Sequence, residues 1–374
     1  MFTSLSLSRF KCYLKRQDIP LSQITLLYGL NGRGKSSAVQ AILLLSQSMK
    51  TSNNIDTLPL AGNLINLGMY SDVLNASATQ NSFAIGLSCK TIEGIDDNVF
   101  VEYTKSPDTP LRAQMQSVDI NGQSRADSLT SQNAGEGESS LVTISVSDSV
   151  CLQMLKDISY IAANRLGVSN EESRLGVNVL ITPKGENVLN VLSTAPIPFV
   201  DEVEEALSRI LFGATVRVKN EADRIELFLD SVVNSKHQYK PTNVGFGYGY
   251  VLPTIVQTLS AKNDSILIVE NPESHLHPGA QSRLMEFLVN QAVEKNLQLI
   301  IESHSDHIAN GLRIAVKKEV VSPSNVSILH FNRSMSDSEN PNVDVIQFDK
   351  HGNLSDYPDD FMDEWTKQLE QLMM

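Results

Sequence analysis

Apolar residues follow two different rhythms along this chain. Uninterrupted runs occur at QITLLY (23–28), SILIVE (265–270), LQLIIE (297–302) and VSILHF (326–331). Runs of that length predict strands covered on both faces, as in a parallel sheet. Alternation marks Phe2, Leu5, Leu7 and Phe10, then SFAIGLSC (82–89) and LVTISVS (141–147), and predicts strands with one covered face. The opening strand is expected to pair beside the one at 23–28. Helical spacing links Ala38, Ile42 and Leu45, and recurs in FVDEVEEALSRILFG (199–213). TVRVKN and RIELFLD, joined by Glu221 to Asp223, read as a hairpin, and the polar stretch NGQSRADSLTSQNAGEGESS (121–140) reads as a mobile loop.

The two-sided strands lie at both ends of the chain, so one α/β core is expected to be split. Residues 1–50 and 241–345 would form it, and residues 51–240 would be an inserted β-rich and helical lobe. Residues 346–374 end in an amphipathic helix bearing Trp365, which would pack on the core or dock a partner. No heptad array or internal repeat is visible, so any helical projection is short.

Composition narrows the setting. Acidic residues outnumber basic ones 43 to 30, and the formal charge of -13 argues against nonspecific coating of nucleic acid. Cys12, Cys89 and Cys151 are far apart without metal-ligand spacing, as suits packing residues in a reducing cytosol. No apolar run approaches the ~20 residues that span a bilayer, so no membrane association is expected. Arg9, Lys11, Lys15 and Arg16 sit where a signal peptide needs an apolar core. A soluble cytoplasmic protein is the expectation.

Between the first two-sided strand and the first helix lies GLNGRGKSS, which fits the phosphate-cradling pattern GxxxxGK[ST]. Gly29, Gly32 and Gly34 free the backbone to wrap a polyphosphate, and the helix N-terminus adds positive potential. Gly29, Leu30, Asn31, Gly32, Arg33, Gly34, Lys35, Ser36 and Ser37 are therefore the expected ATP-binding loop. Lys35 would reach the outer phosphates and the Ser36 hydroxyl would bind Mg2+.

SILIVENPESHLHP is an apolar strand ending in acids, and Glu270 at its end is the expected second metal residue. LQLIIESHSDH places His304 after another strand, where an imidazole can sense a γ-phosphate. PTNVGFGYGYVLPTIVQTL (241–259) sets Gly245, Gly247 and Gly249 before a helix, a form that presents backbone N–H groups to an anion.

In this order, with SRFKCY, NLINLGMYSDVL and HGNLSDYPDDFMDEW, the motifs resemble the ABC-type ATPase heads of the SMC, RecF and OLD families. Among these the chain resembles small prokaryotic AAA-type ATPases that end in a C-terminal domain of unknown function. The resemblance implies a P-loop NTPase of ABC-ATPase type, using ATP and Mg2+. It further implies a head-to-head dimer or larger homo-oligomer, in which Gly247, Tyr248 and Gly249 of one copy cover the nucleotide of the other. An effector protein acting in trans, a nuclease in anti-phage defence, is the partner suggested by analogy.

Three positions depart from the pattern of such heads. Asn271 follows Glu270 where a water-activating glutamate is usual, Tyr250 replaces a glutamine and His277 an aspartate. Asn cannot take a proton, so Glu273 is the expected substitute and turnover is expected to be slow. Gln47 reads as a solvent-facing helical residue, with a lid-glutamine role as the alternative. A nucleotide-binding scaffold with little hydrolysis and a DNA-repair ATPase head are the competing functions.

Overall fold

The computed structural model describes residues 1–90, 94–126, 149–176, 180–230, 238–335 and 340–374. The strand expected at 141–147 lies outside them, as does the loop expected at 121–140 beyond Ala126. Its first residues are not loop: Gln123–Ala126 is a strand paired antiparallel with Arg112–Ile120.

A six-stranded sheet forms the centre, in the order Pro341–Ile346, Val326–Met335, Ile24–Gly29, Gln298–Ser303, Ile266–Glu270, Ile158–Ile161. All pairs are parallel except the first, which is antiparallel. Alternation within Ile266–Glu270 explains its continuous apolar run. Ile266 and Ile268 enter one hydrophobic core, whereas Leu267 and Val269 enter the other. Helices Phe246–Ser260, Pro278–Glu294 and Asp306–Lys317 contribute to the second core. Helix Lys35–Ser52 fills the first, between the parallel sheet and a seven-stranded antiparallel sheet.

That antiparallel sheet corrects one expectation. Phe2–Ser8 pairs with Gln17–Pro20 and Ser82–Lys90, and not with Ile24–Gly29. The physical reason is burial. Ile24–Gly29 is covered on both faces and takes two parallel neighbours, Gln298–Ser303 and Val326–Met335, with matching apolar runs. Thr57–Pro59, Asp96–Lys105 and Arg112–Ile120 complete the antiparallel sheet, which therefore joins the start of the chain to the segment expected as an insertion. Conversely Ile158–Ile161, from inside that segment, is the edge of the parallel sheet.

The hairpin of Thr215–Asn220 and Arg224–Asp230 is present, with Glu171–Ser173 added beside it. In the C-terminal segment Phe348, Leu354 and Phe361 are buried in the core. The final helix Glu364–Met373 has no buried residue, and Trp365 is 69% exposed. Packing thus stops before that helix begins.

Candidate functional site

Gly34 has φ +102 and caps helix Lys35–Ser52, whose first turn has neither a side-chain cap nor an acidic residue. The opening amides are left for an anion. A Cβ on Gly34 would stand 2.9 Å from Pro341 Cγ and 3.0 Å from Tyr13 Oη, so glycine is required by backbone and by space. Gly29 is as constrained: φ is +124 and a Cβ would meet Phe331 O at 2.3 Å. The Tyr13 hydroxyl pins the loop by donating to Gly34 O at 3.0 Å.

Lys35 is buried and donates from Nζ to Gly29 O at 2.9 Å and Leu30 O at 2.7 Å. Burial lowers its pKa to about 8, against the pull of Glu302 and Glu273. The Ser36 hydroxyl donates to Glu302 Oε1 at 2.7 Å. A cavity of ≈ 220 Å³ opens here, lined by Lys11, Cys12, Glu302 and the loop residues from Asn31 to Ser37 other than Arg33.

Glu302 was not among the expected site residues. It is the penultimate residue of strand Gln298–Ser303, in register with Glu270 on the neighbouring parallel strand. Burial pushes its pKa up to about 7, and Glu270 and Glu273 push the same way, while the Ser36 hydrogen bond and Lys35 act oppositely. A signal existed: two apolar strands, SILIVE and LQLIIE, each end in glutamate. Their adjacency was not readable from the chain.

Glu270 has different company. Its Oε2 accepts from the Tyr160 hydroxyl at 2.9 Å and from Ala163 N at 3.0 Å, and burial raises its pKa. Arg165, also unforeseen, donates to the carbonyls of Glu270 and Asn271, each at 2.7 Å. Burial is the leading reason its pKa falls to about 10. Glu273 and His304 come together, with His304 N donating to Glu273 Oε1 at 3.0 Å. The His304 imidazole is shifted below its usual pKa by burial and Lys35, partly offset by Glu273 and a hydrogen bond with the Gly29 backbone.

The glycine helix begins at Phe246 with Gly245 as its cap, and neither Gly247, Tyr248 nor Gly249 lines the cavity. Gly247 permits close approach to the turn after Glu270, since a Cβ would lie 2.7 Å from His275 O, and Gly249 approaches Val168 N. Tyr250 packs against His275 with the rings tilted at 51° and their centroids 4.3 Å apart. His277 caps helix Pro278–Glu294 through Nδ1, which accepts from Gly279 N. Gln47 departs from the expectation of a solvent-facing residue. It is buried, its amide nitrogen donates to Pro59 O, and its carbonyl oxygen accepts from Leu64 N and Ile65 N.

Cys89, Cys151 and Asp97 converge despite their sequence spacing, with ligand atoms all within 4.8 Å. Asp97 is already occupied by Ser149 Oγ, Cys151 N and Asn121 Nδ2, as suits a packed core.

Strand, glycine loop and helix on a central parallel sheet give the chain the fold of a P-loop NTPase head of the ABC type. Residues 196–310 match the family described as "AAA domain, putative AbiEii toxin, Type IV TA system", and residues 321–372 match "Protein of unknown function (DUF3696)". Among solved structures, the chain is similar to an SMC head bound to the C-winged helix domain of ScpA, with 13% identity and a TM-score of 0.53 over 93% of this chain and 98% of that one. It is also similar to an SMC head with an extended coiled coil bound to the C-terminal domain of ScpA, derived from Pyrococcus furiosus. There identity is 14% and the TM-score 0.51, over 100% of this chain and 99% of that one. At such identities the likeness is one of fold. The resemblance expected from the motifs thus holds: an AAA-domain segment, then a C-terminal domain of unknown function, on an SMC-head fold. No curated protein sequence matches the chain. Among the described residues no helix is long and apolar enough to cross a membrane.

Proposed function

We propose that this chain is a Mg2+-dependent ATPase whose nucleotide state switches the assembly of copies of itself and, through that, a partner protein. The observation that carries the reading is the open first turn of helix Lys35–Ser52, with Lys35 and Ser36 facing the cavity that Glu302 closes. The residues suit the ligands. Unsatisfied amides suit phosphate, and a hydroxyl beside a buried carboxylate suits a hard cation. Bound Mg2+ would supply charge neutralisation at the outer phosphates. Lys35 and Ser36 orient that end of ATP, while Glu273 and His304 are the groups proposed to hold a water and follow the γ-phosphate.

The second half of the site is assigned to another copy, whose Gly247, Tyr248 and Gly249 would cover the nucleotide. Gly245 and the exposed Phe246 at the start of that helix leave it accessible for such a contact. ATP at ~100 times its dissociation constant, bound only to the closed pair, would favour closure by about 2.7 kcal/mol per site. The partner reading is supported by two likenesses, to SMC heads bound to domains of ScpA and to the family of AAA domains with a putative AbiEii toxin of a type IV toxin–antitoxin system. An effector such as a nuclease, in prokaryotic anti-phage defence, is the proposed setting. The nucleotide domain is proposed to be split between the start of the chain and residues after 241, with Ile158–Ile161 from the intervening segment added at the edge of its sheet.

Steady-state phosphate release by wild type and Lys35→Ala tests hydrolysis, with light scattering in ATP and ADP to follow assembly. Wild-type release no faster than that of Lys35→Ala would leave the second reading, a nucleotide-binding scaffold, which Asn271 favours because it cannot take a proton from water.

A further inference from the structure

Two carboxylates lie at the ends of neighbouring strands at the phosphate loop, and their partners differ. Glu302 is 5% exposed and lines the cavity. One of its oxygens accepts from the Ser36 hydroxyl, and Oε2 is buried without a hydrogen-bond partner. A buried carboxylate oxygen left unpaired is unfavourable, and a divalent cation beside it would relieve that cost. Glu270 does not line the cavity, and its Oε2 already takes two donors, Tyr160 and Ala163 N. Its main-chain carbonyl is held by Arg165.

We infer that Glu302 is the carboxylate that holds the divalent cation beside Ser36, and that Glu270 is a positioning residue fixing the adjacent strand end. This inference rests on the nucleotide reading above. The chemistry is consistent with the surroundings. A hard cation takes oxygen donors, and a hydroxyl and a carboxylate already stand within 2.7 Å of one another at the wall of the loop cavity. Tyr160, Ala163 and Arg165 tie Glu270 to strand Ile158–Ile161 and the loop after it, so its removal should disturb geometry before it disturbs cation binding.

The test is the gain in affinity for a fluorescent ATP analogue on replacing EDTA with Mg2+, measured on the full chain. Glu302→Gln should keep the affinity seen in EDTA and lose at least tenfold of the Mg2+-dependent gain. Glu302→Asp should recover part of that gain, which a purely structural role would not produce. Glu270→Gln should keep most of the gain. A full gain in Glu302→Gln, or loss of the gain in Glu270→Gln alone, would overturn the assignment. Failure of wild type to bind the analogue under either condition would instead sink the nucleotide reading, and this inference with it. Should Glu302→Gln not fold, the contrast between Glu302→Asp and Glu270→Gln decides, with an undiminished gain in Glu302→Asp counting against the assignment.

Discussion

The Arg165 guanidinium grips the end of the strand that carries Glu270, donating to the carbonyls of Glu270 and Asn271 from two different nitrogens. A third hydrogen bond, to Ala162 O, closes its own loop. Next to that loop, Gly167 packs on the Tyr250 ring and Val168 on Gly249, so one buried cation links the strand end to the glycine helix.

Replacing Arg165 with Met keeps much of the volume and leaves buried carbonyls unpaired. A loss of about 2–4 kcal/mol is expected from chemical denaturation, since each orphaned buried group costs roughly 1–3 kcal/mol. Lys, with a point charge in place of a planar fork, should retain only part of the stability. An Arg165→Met protein as stable as wild type would refute the clamp.

Gln47 should matter to stability and not to turnover. Its amide serves Pro59 O, Leu64 N and Ile65 N, and Gly62 packs so closely that a Cβ there would lie 2.4 Å from Gln47 Cδ. Gln47→Leu is expected to cost roughly 1–3 kcal/mol by thermal or urea unfolding. Loss of phosphate release with unchanged stability would restore the lid role.

Acid should weaken the fold through His330. Its side chain is fully buried, tilted against the Tyr28 ring and edge-on to Phe361, and burial holds its pKa below 6.5 despite Asp344 nearby. The native state keeps it neutral whereas the unfolded chain takes a proton near 6.5, so its contribution is present above that pH and is lost as pH falls through the lower folded value. His330→Phe should flatten the decline in unfolding midpoint below about pH 6.5. An unchanged slope would assign the acid sensitivity elsewhere.

The last helix should be dispensable for folding. None of its residues is buried, and its links to the body include the ion pairs of Lys367 with Asp360 and Asp363, a class worth about 0–1 kcal/mol when exposed. Truncation after Asp363 is expected to change stability by no more than about 0.5 kcal/mol, with any loss of assembly or partner capture seen separately. A large drop in melting temperature would mean that the helix packs after all.

Much of the core was legible because two-sided burial leaves an uninterrupted apolar run. Ile24–Gly29, Ile266–Glu270, Gln298–Ser303 and Val326–Met335 were each anticipated from such a run. Strands with one covered face are visible by their alternation but their partners are not, and Phe2–Ser8 accordingly pairs with Gln17–Pro20 and Ser82–Lys90 and not beside Ile24–Gly29. Pairing depends on which surface each side covers, and a single strand's alternation does not name its neighbour.

The loop GLNGRGKSS could be read directly because its chemistry is local: glycines, lysine and serine act within nine consecutive residues. Glu302 and Arg165 could not, since each is defined by a contact with a distant segment, and Gln47 is buried by the fold-back of the chain from Pro59 to Ile65. Glu302 meets Ser36 across 266 positions, and Arg165 meets Glu270 across 105. The sequence by itself determined that a phosphate loop joins a buried strand to a helix. Only the tertiary structure decided which carboxylate stands at Ser36, because parallel register sets Glu270 and Glu302 side by side while local donors occupy one and leave an oxygen of the other unpaired.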